Sequence, residues 1–378
     1  MIYLDTAATT PVRREVLEAM WPILTADFGN PSSHHEIGEA AARALAAARA
    51  SVAEHLGCRS SEVIFTSGGS EADNLAIKGI ALANPRGRHI LTSAIEHEAV
   101  LASCDYLSRH HGFEISFVDV AADGLLDPAE IARLLRPDTT LVSLMHANNE
   151  IGTVQPLGAI GELTRAAGVP LHTDAVQSAR WLNIGLHTLG VDALSISGHK
   201  LGAPKGIGAL AIRRSIALEP TLHGGGQERG RRSGTENVAG AVGLAVALDL
   251  AQKWTADHGR LAEITAARDI LIEGILRDVP HSMLTGHATE RLPNHASFCF
   301  PGTSGEAVLL ELERRGVVCS SGSACAAGSD EPSHVLIAIG MDAALATTAV
   351  RFTLGTDTTT DEVHSVVGRV IDAVAALR

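Results

Sequence analysis

Cysteine is sparse in this chain. Five thiols, Cys58, Cys104, Cys299, Cys319 and Cys325, are scattered over 378 residues. Their odd number and wide spacing build no disulfide framework. That pattern suits a reducing compartment and leaves any thiol chemistry to catalysis. Basic charge is also short: 30 Lys and Arg stand against 43 Asp and Glu, a net charge of −13. Such an excess of acid disfavours non-specific nucleic-acid binding across the surface. Only HGGGQERGRRSGTEN, residues 223 to 237, is locally basic. Long hydrophobic runs are missing as well. The longest, Val238 to Leu248, is too short to span a bilayer, and the opening MIYLDTAATT lacks the basic-then-apolar pattern of a secretory or transit peptide. These absences predict a cytoplasmic protein with no membrane partner and no direct nucleic-acid partner.

What is present points to a large buried interior. Apolar residues make up 46% of the chain, and its length suits two domains better than one core. Helical periodicity covers about Glu36 to Leu56, EVIFTS reads as a strand, SGGSE as a turn, and Ala72 to Ala83 as a helix. The alternation continues through HILTSAI, FEISFVDV, TTLVSLMH, VPLHTDA, VDALSIS and GIGALAI, with helices from His97, Asp127 and Pro156. Strands alternating with helices predict an α/β protein with a mostly parallel sheet covered by helices. A long helical segment past Trp254, then HASFCF, a helix over 305–315 and VRFTL, predict a smaller α+β domain. The expected division is a large domain over 13–254 and a small domain made of 1–12 and 255–378.

Three segments carry candidate chemistry. In FTSGGSEADNLAIKG, Gly68 and Gly69 lie between a strand and a helix, with Ser70 and Asp73 at capping-box spacing. Backbone N–H groups of Gly69 and Ser70 at a helix N-terminus suit a phosphate, and a plain strand-to-helix turn fits the same residues. VPLHTDAVQSA ends an apolar strand with Asp174 and Gln177, where open α/β sheets bind ligands. Asp174 suits pairing with a protonated ring nitrogen; metal ligation beside His172 lacks a third ligand at a recognisable spacing. In SGHKLGAPKGIGALAI, Lys200 closes a strand before a Gly/Pro-rich turn, flanked by Ser197 and His199. A lysine amine in such surroundings forms a Schiff base with an aldehyde. Phosphate cradle, acid and amine together are the parts that bind pyridoxal 5′-phosphate.

The segments FGNPSSHH, FTSGGSEADNLAIKG, IEHEAV, HANNEIG, HTDAVQS, SGHKLGAPKGIGAL, HGGGQERGRRSGTEN, SSGSACAAGSDEPSHVL and VRFTLG resemble, in order and spacing, the cysteine desulfurases of the NifS/IscS type. These are class-V aminotransferase relatives of the group with an SSGSAC loop. The match runs from about Tyr3 to beyond Gly355. The resemblance implies the aspartate-aminotransferase-like architecture, fold type I of pyridoxal phosphate enzymes, a homodimer, and release of sulfur from L-cysteine to leave L-alanine. It assigns Lys200 to the cofactor aldehyde, His97 to stacking on the ring and Asp174 to its nitrogen. Asn149 and Gln177 touch the ring substituents, while Gly69, Ser70, Ser197 and His199 surround the phosphate. Thr235 reaches the partner subunit's phosphate, and Arg351, with Asn30 and Asn149, clamps the substrate carboxylate. Cys325 takes the sulfur as a persulfide from a loop of Gly, Ser and Ala that gives it steric freedom.

The sequence departs from its relatives in three places. Ser70 stands where the family often has Thr, keeping the hydroxyl. Cys319, six residues before Cys325, is a thiol that several relatives lack; it could resolve the persulfide as an internal disulfide, but as a strand end it reads better as a small buried residue. The end at AALR is short of the tail that some relatives use to dock an iron–sulfur scaffold, which leaves the sulfur-acceptor protein open among iron–sulfur assembly, tRNA thiolation, DNA phosphorothioation and thiocofactor synthesis. Rival readings are a selenocysteine lyase, another amino-acid enzyme of the same fold, and a catalytically idle homologue.

Overall fold

The computed structural model describes residues 1–83, 86–321 and 331–378. Its twelve described strands are β1 (Ile2–Tyr3), β2 (Val63–Thr66), β3 (His89–Ser93), β4 (Glu114–Val118), β5 (Thr139–Ser143) and β6 (Leu171–Asp174), followed by β7 (Ala193–Ser197), β8 (Gly208–Ile212), β9 (Met283–Leu284), β10 (His295–Cys299), β11 (Val317–Val318) and β12 (Ala349–Thr353). Seven of them form the main sheet in the order β2-β8-β7-β6-β5-β3-β4. Neighbours from β7 to β4 run parallel, while β8 is antiparallel to both β2 and β7. Every residue of β2, β3, β5, β6, β7 and β8 is buried. Helices cover both faces, so these strands need no polar–apolar alternation, and the polar residues they carry, such as His172 and Thr173 in β6, are buried as well.

A three-stranded antiparallel sheet, β12-β10-β9, lies apart from the main sheet. One hydrophobic cluster runs from Val16 to Ala251 beneath the main sheet. A second gathers Leu4 and Trp254 with residues from Ile264 to Val374. The N-terminus joins the second cluster because β1 pairs in parallel with β11. Trp181 and Trp254 meet edge to face, 5.1 Å between ring centroids, and both belong to that cluster.

The basic stretch of 223–237 is tied into the fold. Arg232 pairs with Glu71 at 2.7 Å and Arg229 donates to the Val63 carbonyl at 2.6 Å. Glu228, 4% exposed, holds Arg49 through two bonds of 2.6 and 2.7 Å.

Candidate active site

The carboxyl ends of β2, β3, β5, β6 and β7 all open on one cavity of about 390 Å³, where an α/β sheet binds its ligands. Its lining includes Gly69, Ser70, His97, Asn149, Asp174, Gln177, Ser197, His199, Lys200 and Arg351. Ten of the residues singled out in the sequence thus meet in space. Asn30 and Thr235 do not join them: both are exposed, and the Asn30 side chain accepts from the Ser32 N–H at 2.9 Å within its own loop. Cys325 lies outside the described residues.

Gly69 opens the helix Gly69–Ala83. A Cβ there would meet Val176 Cγ2 at 2.8 Å and Ser197 Cβ at 3.3 Å, so glycine keeps the backbone N–H groups accessible beside Ser197. The capping box read from Ser70 and Asp73 is not formed. The Glu71 carboxylate reaches back to the Ser67 N–H at 2.8 Å, and Asp73, 1% exposed, turns inward as a wall of the cavity. The register shifts because the helix starts at Gly69, earlier than the apolar periodicity from Ala72 indicates.

Asp174 closes β6, where its Oδ1 accepts the Val176 N–H at 2.8 Å. Burial pushes its carboxyl up from the ordinary value, and His97, the Val176 N–H and Lys200 pull it back down. A protonated ring nitrogen in the cavity would add a further positive neighbour and favour the carboxylate. His97 caps the helix Glu98–His111; its Nδ1 accepts the Ala99 N–H at 3.1 Å. An accepting Nδ1 leaves the proton of the neutral ring on Nε2.

Lys200 sits within one helical turn, Gly198–Leu201, ended by Gly202 at φ 94°. The sequence pointed to a turn with no helix; the Gly198 N–H bonds the Ile207 carbonyl at 2.9 Å and the Ala203 N–H closes on Gly198 at 3.0 Å. That turn carries Lys200 back toward the N-terminal segment, where Nζ donates to the Ala7 carbonyl and, at 2.6 Å, to the Ala8 carbonyl. Gln177 Nε2 donates to the same Ala7 carbonyl at 3.0 Å. His199 Nδ1 lies 3.1 Å from Thr9 Oγ1, and burial, followed by Lys200 and Lys205, pushes its imidazole down to about 4.

Arg351, 2% exposed, reaches the cavity from β12. Nη1 donates to the Asn149 carbonyl at 2.9 Å and Nη2 to Asp5 Oδ1 at 2.9 Å, while the buried Nε has no partner among the described residues. Its backbone pairs with Ser320 through bonds of 2.7 and 3.2 Å, at the start of the segment that leads to Cys325. Cys319, half-buried against the second cluster, has its thiol pushed up by burial and by Asp5. It is a packing residue with little thiolate.

Beneath the cavity lies a buried polar layer. His172 is held between Ser143 Oγ at 2.9 Å and Ser195 Oγ at 3.0 Å, and burial pushes it down to about 3. Both of its ring nitrogens therefore serve hydroxyls. Glu96 accepts from Ser93 Oγ at 2.6 Å and the Met145 N–H at 3.1 Å, and burial pushes it up to about 8.

Sequence reasoning missed Asp5, Glu150 and the Ala7 and Ala8 carbonyls. Nothing in YLDTAATT names a partner for Asp5; the pairing of β1 with β11 and its own bridge to Thr353 of β12 bring it to Arg351. Glu150 follows Asn149 in the recognised HANNEIG, yet its partner, Ser333 Oγ at 2.5 Å, lies far along the chain.

A glycine cradle at a helix start, an amine, a buried carboxylate and an imidazole cap fit pyridoxal 5′-phosphate, and with this sheet they define the fold type I class of enzymes that use it. The chain belongs to the aminotransferase class-V family, which matches residues 2–366. It is 47% identical over 378 residues to "Cysteine desulfurase IscS" of Methanosarcina thermophila, covering 100% of this chain and 93% of that protein. Among solved structures, a "NifS-like protein" superposes with a TM-score of 0.92 at 35% identity, over 100% of both chains. "SspA in complex with cysteine" gives 0.81 at 37% identity, over 94% of this chain and 99% of that one. Among the described residues, no helix is long and apolar enough to cross a membrane.

Proposed function

We propose that the chain is a pyridoxal-phosphate-dependent cysteine desulfurase. The carrying observation is the convergence of Lys200, Asp174, His97 and Arg351 on one cavity, in a chain that shares 47% of its residues with a cysteine desulfurase. Pyridoxal phosphate, when bound, supplies an aldehyde that captures amines and a ring that withdraws electrons from the substrate's α-carbon. Lys200 would provide the amine that holds the aldehyde. Asp174 would pair with the ring nitrogen and His97 would stack on the ring. Asn149 and Gln177 would hold the ring substituents, and Gly69, Ser70, Ser197 and His199 would hold the phosphate. Arg351 would receive the substrate carboxylate with its guanidinium fork, exchanging for it the bonds that the Nη groups make to the Asn149 carbonyl and Asp5. Asn149 joins that clamp; Asn30, engaged within its own exposed loop, would have to shift to do so.

The Cys325 thiolate then attacks the substrate sulfur. A sulfur–sulfur bond forms, the carbon–sulfur bond breaks with its electron pair left on the β-carbon, and protonation there gives L-alanine. Atoms and electrons balance with no external oxidant: the sulfur leaves as a persulfide on Cys325. That persulfide passes to an acceptor protein, as in iron–sulfur cluster assembly.

For the division into 13–254 and 1–12 with 255–378, one hydrophobic cluster lies wholly in the first part, and a second, which also draws in Ala147, Trp181 and Trp254, lies mainly in the other. A homodimer places the exposed Thr235 at the partner's cofactor phosphate. Leu17, Trp21 and Leu24, 53%, 68% and 59% exposed on one face of the helix Arg14–Thr25, offer apolar surface to a second copy. A cytoplasmic setting accords with the reduced thiols. The direct test is L-alanine production from L-cysteine by the yellow holoenzyme. Loss of both colour and turnover in Lys200→Ala supports the reading, and a colourless protein that stays inert after cofactor addition ends it.

A further inference from the structure

A second cavity, of about 420 Å³, lies behind the N-terminal segment. Ala7 and Ala8 face the cofactor cavity, whereas Thr6, Thr10, Arg13 and Arg180 line this one. Its opposite wall is the turn Gly355–Thr358, which follows β12, so the cavity runs along the seam between the two hydrophobic clusters. A neighbouring cavity of about 480 Å³ shares Arg13, Thr356, Asp357 and Thr358.

Arg180 is the unusual group. It is 9% exposed, stacks over Trp181 at 5.6 Å, and makes one hydrogen bond, from Nη2 to Thr356 Oγ1 at 3.1 Å. Among the described residues no carboxylate comes within ion-pair distance of it; of the other cavity charges, Arg14 and Glu362 are engaged and Arg13 has only a loose, partly exposed neighbour. Arg13 faces Glu15 at 3.8 Å, Arg14 faces Glu18 at 2.7 Å, and Glu362 accepts the Thr359 N–H at 3.0 Å. Asp357 is exposed. Burial, followed by repulsion from Arg13, pushes the Arg180 guanidinium down to about 10 against the attraction of Asp357. A desolvated cation with no carboxylate within ion-pair distance is costly, and a bound anion offsets that cost. The Thr358 hydroxyl accepts the Gly355 N–H at 2.9 Å, which leaves its own hydrogen free to donate.

We propose that this cleft binds a small tetrahedral oxyanion, phosphate or sulfate, through Arg180, Arg13 and the Thr358 hydroxyl. A guanidinium fork on one wall and a hydroxyl on the other approach from different directions, which suits a tetrahedral anion better than a planar carboxylate. The anion bridges segments on the two sides of the seam and holds them together. Nothing in this site depends on Lys200 chemistry.

The test uses holoenzyme, whose cofactor keeps phosphate out of the catalytic cavity; visible absorbance reports that the cofactor stays bound. Equilibrium dialysis with radiolabelled inorganic phosphate is paired with thermal unfolding in phosphate, sulfate, acetate and chloride at matched ionic strength. The expected result is saturable phosphate binding and a rise in midpoint with phosphate or sulfate beyond that with acetate or chloride. Arg180→Gln weakens phosphate binding about tenfold or more, and Asp357→Asn, which removes a competing carboxylate, tightens it about threefold. Equal binding by wild type and Arg180→Gln, or a midpoint rise that chloride reproduces, overturns the proposal. Should Arg180→Gln fail to fold, unchanged phosphate affinity in both Asp357→Asn and Thr358→Val overturns it, and a change in the expected directions supports it.

Discussion

Arg351 carries two loads. Its side chain links Asp5 and the Asn149 carbonyl, and its backbone holds Ser320. Arg351→Gln removes the fork and strands Asp5, so KM for L-cysteine should rise by roughly 30-fold or more, about 2–5 kcal/mol of lost carboxylate binding. Steady-state kinetics decides; an unchanged KM removes Arg351 from the clamp. Replacing Cys325 with Ala should abolish turnover while the cofactor absorbance stays intact, and retained turnover would favour another amino-acid enzyme of this fold. Lys200 and Asp174 were legible because each sits in a segment whose residue types already name a chemistry, whereas His97 was legible only through resemblance. Asp5 was not, because its meaning comes only from a contact with a residue hundreds of positions away.

The buried histidines make a prediction with a definite sign. Burial holds His146 at about 4 and His172 at about 3, against 6.5 in the unfolded chain. Below 6.5 the unfolded state takes up protons that the folded state refuses, so each histidine erodes stability by about 1.4 kcal/mol per pH unit as pH falls toward its folded value. Glu96 works in the opposite sense. Its folded value of about 8 exceeds 4.5, so its contribution is full below 4.5 and is lost as pH rises toward 8. Urea unfolding between about pH 6.5 and 5 should therefore show a shallower acid loss in His172→Gln than in wild type; identical slopes would contradict a neutral buried His172.

At the scale of elements, the segment bearing Cys325 is flanked by two fixed points. Before it, Ser320 pairs with Arg351; after it, Ser333 donates to Glu150 and caps the helix His334–Ala338 by accepting the Leu336 N–H. Ser333→Ala removes a cap and leaves the 4% exposed Glu150 without its donor. Stability should fall by about 1–3 kcal/mol, measured by chemical denaturation, and a neutral effect would show that Glu150 finds another partner. The strands of the main sheet were readable from their apolar content, whereas the two-residue strands β1 and β9 were not. The antiparallel placement of β8 between β2 and β7 was not, because a strand buried on both faces has the same composition in either direction. The turn holding Lys200 escaped for a different reason: four residues are too few for helical periodicity to register.

For the whole molecule, charge and length set the class, and the motifs set the family. The proposed homodimer rests on resemblance alone, since self-association leaves no local pattern in a sequence beyond exposed apolar residues. Trp21→Glu should shift the protein toward monomer in light scattering and weaken cofactor retention together, because Thr235 would lose the phosphate it serves; a dimer that persists would move the interface elsewhere. The central claim is that an amine at 200 and a thiol at 325 serve one reaction. Holoenzyme given a limiting amount of sulfur-labelled L-cysteine, alkylated and digested, should carry the label as one added sulfur on the peptide containing Cys325, with an equal amount of L-alanine released. Label on Cys319 or on no cysteine at all, with alanine still formed, would contradict it.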